Sequence, residues 1–249
     1  MPRLTDLLIK SDPVFKYRLS DCWIKRHLIA PEVVGISICL KKLDNALLDR
    51  NLIHVLPSYF NNLTHKRKLT LLGGRLCAES LLLDSECSGD TISYLEGKPP
   101  IWPRGIKGSI THTDDVAHCI VTNSNSIKSL GVDIEYVNPV NTQKIITYCL
   151  TQTEIDKWLN DQPWTIDAIA TLIFSAKESG FKALYPSILR FIDFKEFQTS
   201  MICFETNSLV LSPVHRNQDF SQSIKIKFSI EHKAPHTLGS LITTSALLQ

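Results

Sequence analysis

Hydrophobic and polar positions divide the chain into short apolar runs in its first half and longer periodic stretches further on. Residues 33–41 are rich in β-branched side chains and bounded by Pro31 and a charged turn, which predicts a strand. From residue 63 to 83 the apolar positions Leu69, Leu72, Leu76, Ala78 and Leu82 fall at helical spacing, with Gly73 and Gly74 in the middle marking a close backbone approach. Residues 96–112 are rich in glycine and proline; prolines lack the amide donor and restrict the residue before them, so this passage is a structured loop leading into a strand. Residues 116–122 and 130–137 are short and β-branched, and the polar cluster Asn123-Ser-Asn-Ser126 between them predicts a strand pair.

Beyond Pro139 the periodicity becomes helical. Thr151 and Glu154 have the spacing of a capping box, and residues 165–184 form a long helix that Pro186 should end. Runs at 189–195, 200–204, 208–212 and 224–230 predict an antiparallel sheet. Strand, helix and further strands thus occur twice. The expected fold class is α+β, two pseudo-symmetric α/β halves covering residues 1–130 and 131–249, with the active site at their interface.

At 249 residues, 43% hydrophobic and 21% charged, the chain has a globular composition and buries enough surface to need neither disulfide nor structural metal. The net charge of +2 gives no reason to expect a nucleic acid, although residues 1–130 hold 17 basic against 13 acidic side chains and form the more anion-attracting part. Seven scattered cysteines, none in zinc-knuckle spacing, read as reduced and mostly buried. Charges at Arg3, Asp6 and Lys10 interrupt any signal-peptide core, and no apolar run is long enough to span a membrane, so a cytoplasmic protein is expected.

Four segments could carry chemistry. On a strand, Asp133 and Glu135 share one face, with Val132 and Ile134 on the other. Two desolvated carboxylates need a cation between them or water over them, and hard oxygen donors suit magnesium. In Phe174-Ser-Ala-Lys177-Glu178-Ser-Gly180-Phe-Lys182-Ala183, Glu178 and Lys182 are helical neighbours, readable as a surface ion pair or as part of a site, while Gly180 implies that something packs closely. The proline loop after Lys98 leads to Thr111 and His112 at a strand end, and Arg75 follows two glycines and could grip phosphate bidentately.

Taken in order, Gly74-Arg75, the Trp-Pro loop, Gly108-Ser-Ile-Thr111-His112, Gly131-Val-Asp133-Ile-Glu135 and the Lys177-Glu178 helix give the chain its resemblance. It resembles the 4′-phosphopantetheinyl transferase superfamily, in the branch of the enterobactin-synthase and surfactin type. The likeness implies a monomer that takes coenzyme A as donor substrate and Mg2+ as cofactor, and transfers the phosphopantetheine arm to a serine of an apo acyl or peptidyl carrier protein. Adenosine 3′,5′-bisphosphate would leave. By motif position it implies Asp133, Glu135 and Glu178 as metal ligands, with Glu178 as ligand or base. Lys182 would neutralise phosphate, and Arg75, Lys98, Thr111, His112 and Lys177 would contact the coenzyme. The acidic pair Asp114-Asp115 after His112 departs from the family's wording.

Two other readings compete. A metal-dependent nuclease would share the two acids, but the lysine expected two residues past the second acid is here Val137. A catalytically inert relative that only binds carrier protein or coenzyme A would keep the same fold. No membrane or nucleic-acid partner is expected.

Overall fold

The structure is a computed structural model that describes residues 3–83, 92–93, 99–160, 164–215, 221–231 and 240–248. It divides into two compact units, Met1–Asn125 and Ser126–Gln249. The division falls before the strand that the expected boundary at 130 would have cut.

In the first unit two short helices, α1 (Leu4–Ser11) and α2 (Phe15–Cys22), precede strands β1 (Trp23–Ala30) and β2 (Val33–Cys39). Helices α3 (Leu40–Asp49) and α4 (His65–Leu83) follow, then β3 (Lys107–His112) and β4 (Val116–Thr122). The strands form an antiparallel sheet in the order β1-β2-β4-β3. Its core gathers Phe15, Ile38, Leu43, Phe60, Leu72 and Leu76 at 1% exposure or less. Helices α1 and α2, strand β1 and helix α3 were not anticipated. β1 carries Lys25, Arg26 and His27 in succession and so lacks a clean alternation, and α3 begins where the predicted first strand was extended to residue 41.

The second unit opens with β5 (Ser129–Tyr136), followed by α5 (Pro139–Cys149), α6 (Gln152–Trp158) and the 23-residue α7 (Ile166–Ile188). Strands β6 (Phe197–Cys203), β7 (Ser208–Pro213), β8 (Ile224–Glu231) and β9 (Leu241–Leu248) complete an antiparallel sheet ordered β5-β9-β8-β7-β6. The α+β class is therefore observed, with a different strand count and order in each unit.

Several local expectations need correction. β4 and β5 do not pair: β4 lies between β2 and β3, β5 joins β9, and the polar cluster at 123–126 holds the division between units rather than a hairpin turn. Helix α7 runs through Pro186, which sits in its last turn, and ends at Leu189 in the left-handed conformation with φ 56°. Residues 189–195 consequently form the helix exit and a short 3-10 turn instead of a strand. The capping box at Thr151 and Glu154 is formed as expected. Six cysteines among the described residues are free thiols; burial pushes Cys22 and Cys149 up to about 11, so they are inert at neutral pH. No helix among the described residues is long and apolar enough to cross a membrane.

Candidate active site on strand β5 and helix α7

Alternation along β5 places Ser129, Gly131, Asp133 and Glu135 on one face, and helix α7 covers that face. The Ser129 hydroxyl donates to the Ala183 carbonyl at 2.5 Å. A Cβ on Gly131 would stand 1.8 Å from the Ser179 carbonyl oxygen and 2.7 Å from the Ala183 amide nitrogen, so only glycine admits the helix backbone this close. On the neighbouring strand the Thr244 hydroxyl donates to the Ser175 carbonyl at 2.8 Å, one turn earlier on α7. The strand's other residues, Val132 and Ile134, are also buried, which leaves β5 covered on both faces.

This close packing brings the expected chemistry together. Lys182 Nζ donates to Asp133 Oδ1 at 2.7 Å and to the Val132 carbonyl at 3.0 Å. The Asp133 side chain is 5% exposed and the Lys182 side chain 26%, so the pair sits at the rim of the buried region. The helical pairing of Lys182 with Glu178 that the spacing allowed gives way to this ion pair with the strand. Glu178, one turn earlier, is half-buried, and among the described residues nothing hydrogen-bonds to its carboxylate. Burial raises its pKa above the ordinary carboxylate range; Lys182 opposes the shift and the charge of Asp133 adds to it. Glu135 lies half-buried two residues along from Asp133.

Do these residues fit a magnesium ion? Among the described residues no three acidic, histidine or cysteine side chains gather closely enough to enclose a metal, so Asp133, Glu135 and Glu178 do not form an all-protein cage. Magnesium does not need one, since it usually takes one or two carboxylates and completes its shell with water and phosphate oxygens. Asp133 and Glu178 interact through their charges, and Glu178 is held at a raised pKa that a nearby cation would relieve. The donor set fits in that restricted sense, as a carboxylate pair.

Other expected residues are placed differently. Lys177 is sealed in the core with its side chain 0% exposed, donating to Glu154 at 2.7 Å and to the Cys149 carbonyl at 2.8 Å, and it offers no surface to a coenzyme. Burial lowers its pKa, with the Glu154 carboxylate opposing. Arg75, 5% exposed, donates to the Ile92 and Ser93 carbonyls at 2.6 and 3.1 Å and braces that segment instead of facing solvent. Thr111 is buried, and His112 is exposed with its Nε2 3.2 Å from an Arg67 guanidinium nitrogen. Asp114 is paired with Lys66 at 2.6 Å, which offsets its charge beside His112. Lys98 lies outside the described residues. Gly180 is explained by packing, since a Cβ there would meet Leu211 Cδ1 at 2.9 Å.

Sequence reasoning assigned Glu154 a capping role only. The structure makes it the buried partner of Lys177. A signal was available: Ile155 and Trp158 give the start of this helix an apolar face, and Glu154 stands four residues before Trp158 on that face.

A family model described as the 4′-phosphopantetheinyl transferase superfamily matches residues 129–238, which hold β5 and α7, and one described as the 4′-phosphopantetheinyl transferase N-terminal domain matches residues 57–122. The chain belongs to the 4′-phosphopantetheinyl transferase superfamily. Within that superfamily it is similar to the 4′-phosphopantetheinyl transferase Npt of Nocardia iowensis, 30% identical over 53% of this chain and 58% of the relative. Enterobactin synthase component D of Escherichia coli strain K12 is 32% identical over 51% of this chain and 61% of its own length. The 4′-phosphopantetheinyl transferase PptT of Mycobacterium tuberculosis is 29% identical over 44% and 46%. The aligned part thus spans less than two thirds of these relatives.

Proposed function

We propose that this member of the superfamily transfers the 4′-phosphopantetheine arm of coenzyme A to a serine hydroxyl of an apo carrier protein, in a magnesium-dependent reaction. The supporting observation is the half-buried Glu178 held beside the Asp133–Lys182 pair on the closely packed strand and helix. The serine oxygen forms a bond to the phosphorus that bears the pantetheine arm. The bond from that phosphorus to the bridging oxygen breaks, and adenosine 3′,5′-bisphosphate departs with the bridging oxygen and its electron pair.

Glu178 takes the serine proton, and its raised pKa brings it nearer the working pH than an exposed carboxylate would be. Lys182, partly exposed beside Asp133, neutralises charge on the diphosphate as the bond breaks. Asp133 would hold a magnesium ion together with Glu178, the carboxylate it interacts with, and Glu135 on the same strand face is the further candidate ligand. When bound, the ion offsets the diphosphate's negative charge. His112, exposed at the end of β3, is the expected contact for the coenzyme phosphates, whereas Thr111 is buried beside it and Arg75 contributes through the segment it braces. The similarity to enterobactin synthase component D supports a carrier that belongs to a synthase of that kind.

The test is incubation with coenzyme A, magnesium and a panel of apo carrier proteins, followed by intact-mass measurement. A gain of one phosphopantetheine arm on the carrier serine is expected, abolished by chelator. Tight binding of coenzyme A or carrier with no mass gain on any of them would establish the inert relative instead.

A further inference from the structure

Glu154 does more than cap a helix. Its carboxylate, 0% exposed, accepts from the Thr151 amide at 2.8 Å and from Lys177 Nζ at 2.7 Å through Oε2, and from the Thr199 amide at 2.6 Å through Oε1. Lys177 also donates to the last carbonyl of α5, at Cys149. The indole of Trp158 donates to the Thr199 carbonyl at 2.8 Å. The carboxylate therefore ties together the start of α6, strand β6 and the middle of α7, and its lysine partner adds the end of α5. The surroundings, Cys149, Leu150, Trp158, Ile169 and Ile173, are apolar.

Stability alone is a poor explanation for such a pair, because a buried ion pair is often matched or bettered by apolar residues of similar volume. Geometry is a better one. Lys177 immediately precedes Glu178, and successive residues of a helix project about 100° apart, so a clamp on Lys177 sets the direction in which Glu178 and Lys182 face β5. With side-chain ends roughly 5–6 Å from the helix axis, a rotation of about 10° displaces them by about 1 Å. A misplacement of that size can slow a reaction about 100-fold.

We propose that Glu154, acting through Lys177, is a positioning residue that fixes the rotation of α7 and hence the aim of Glu178 and Lys182. The proposal rests on the transferase reading for its kinetic consequence but not for its structural one. Neither residue touches the reacting atoms.

The test compares Lys177→Met, the double variant Glu154→Gln/Lys177→Met, and Glu154→Asp with the native protein. Lys177→Met leaves a buried carboxylate without its counter-charge and should unfold at lower temperature; the double variant removes both charges and should recover much of that loss. Assayed below its melting temperature, the double variant should still show kcat for transfer reduced roughly 30- to 100-fold, with KM for coenzyme A within about threefold. Amides of residues 177–182 should exchange hydrogen faster, while those of β7 and β8 keep native protection. Glu154→Asp keeps the charge but shortens the reach, and should show the same pattern at about one tenth of native kcat, which keeps the test open if the double variant does not fold. A double variant or Glu154→Asp protein with native melting temperature, native kcat and native exchange in α7 overturns the proposal. If the native protein transfers nothing, the transferase reading falls and the exchange pattern alone decides the clamp.

Discussion

Helices α4 and α7 are the two long helices of the molecule, each laid on an antiparallel sheet and each burying charged side chains, yet they use those charges differently. On α4, Arg75 is spent on two backbone carbonyls and Glu79 accepts from the Leu4 and Thr5 amides and the Thr5 hydroxyl, so both charges fasten neighbouring segments to the helix. On α7, Lys177 is spent in the same way. The next residue and the next turn are not: Glu178 is half-buried, and Lys182 reaches Asp133 from the rim. Both helices carry basic and acidic side chains, and exposure separates their uses. A fully desolvated charge surrounded by backbone partners is a fastening, whereas a partly exposed one retains hydrogen-bonding capacity for a substrate.

Close approach is also achieved in opposite ways. In α4 the glycines are on the helix, and Cβ atoms on Gly73 and Gly74 would meet Leu40 Cδ2 and Ile110 Cγ2 at 2.5 and 2.6 Å. In α7 the decisive glycine is on the strand, and what it would strike is helix backbone. Gly131→Ala should therefore have the largest effect, a destabilisation above about 4 kcal/mol or failure to fold. Gly74→Ala, where a side chain can give, should cost less; equal losses in a denaturant titration would remove the distinction.

Next in size is the contrast between the charged groups themselves. Lys182→Ala should lower the rate of transfer about 100-fold, the scale for removing a well-placed electrostatic group. Because it deprives Asp133 of its counter-charge, magnesium should raise the melting temperature of this variant more than that of the native protein. Arg75→Met bares two buried carbonyls at about 1–3 kcal/mol each, with no added response to magnesium. A magnesium response of the same size in both variants would mean that Asp133 is not where the ion binds.

The smallest expected effect concerns Glu178. Its pKa is raised on folding, so between the ordinary value of 4.5 and the higher native one the folded state holds a proton that the unfolded state has released, and stability falls as pH rises through that interval. Glu178→Gln removes this penalty. In metal-free buffer the variant should melt higher than the native protein at pH 7.5, and the gap should close as pH falls to 4.5; an unchanged gap would show that the carboxylate is not held at a raised pKa.

Much of this was legible before any coordinates. The face shared by Asp133 and Glu135 follows from strand alternation, the capping box at Thr151 from its spacing, and the span of α4 from its apolar period. What was not legible depends on partners distant in the chain. β9 was missed because Thr243, Thr244 and Ser245 break its apolar run, although two of them are buried against α7 and the sheet. Lys177 and Arg75 were read from their chemistry as ligand contacts; nothing local reveals that one meets Glu154, 23 residues earlier, and the other the 92–93 carbonyls. The pairing of β4 with β5 failed because a polar cluster marks a turn equally well between hairpin strands and between folding units.

Among the described residues the strand bearing Asp133 stands outermost in its sheet and pairs with β9, with Asp133 opposite Thr244. A nascent polypeptide emerging from the ribosome carries its acidic residues for more than a hundred codons before the segment that registers them is synthesised. Until then the exposed ladder of β5 is open to pairing with other chains. Protein made without residues 241–248 would be prone to aggregate, and a translational pause late in the message would lengthen the same vulnerable interval.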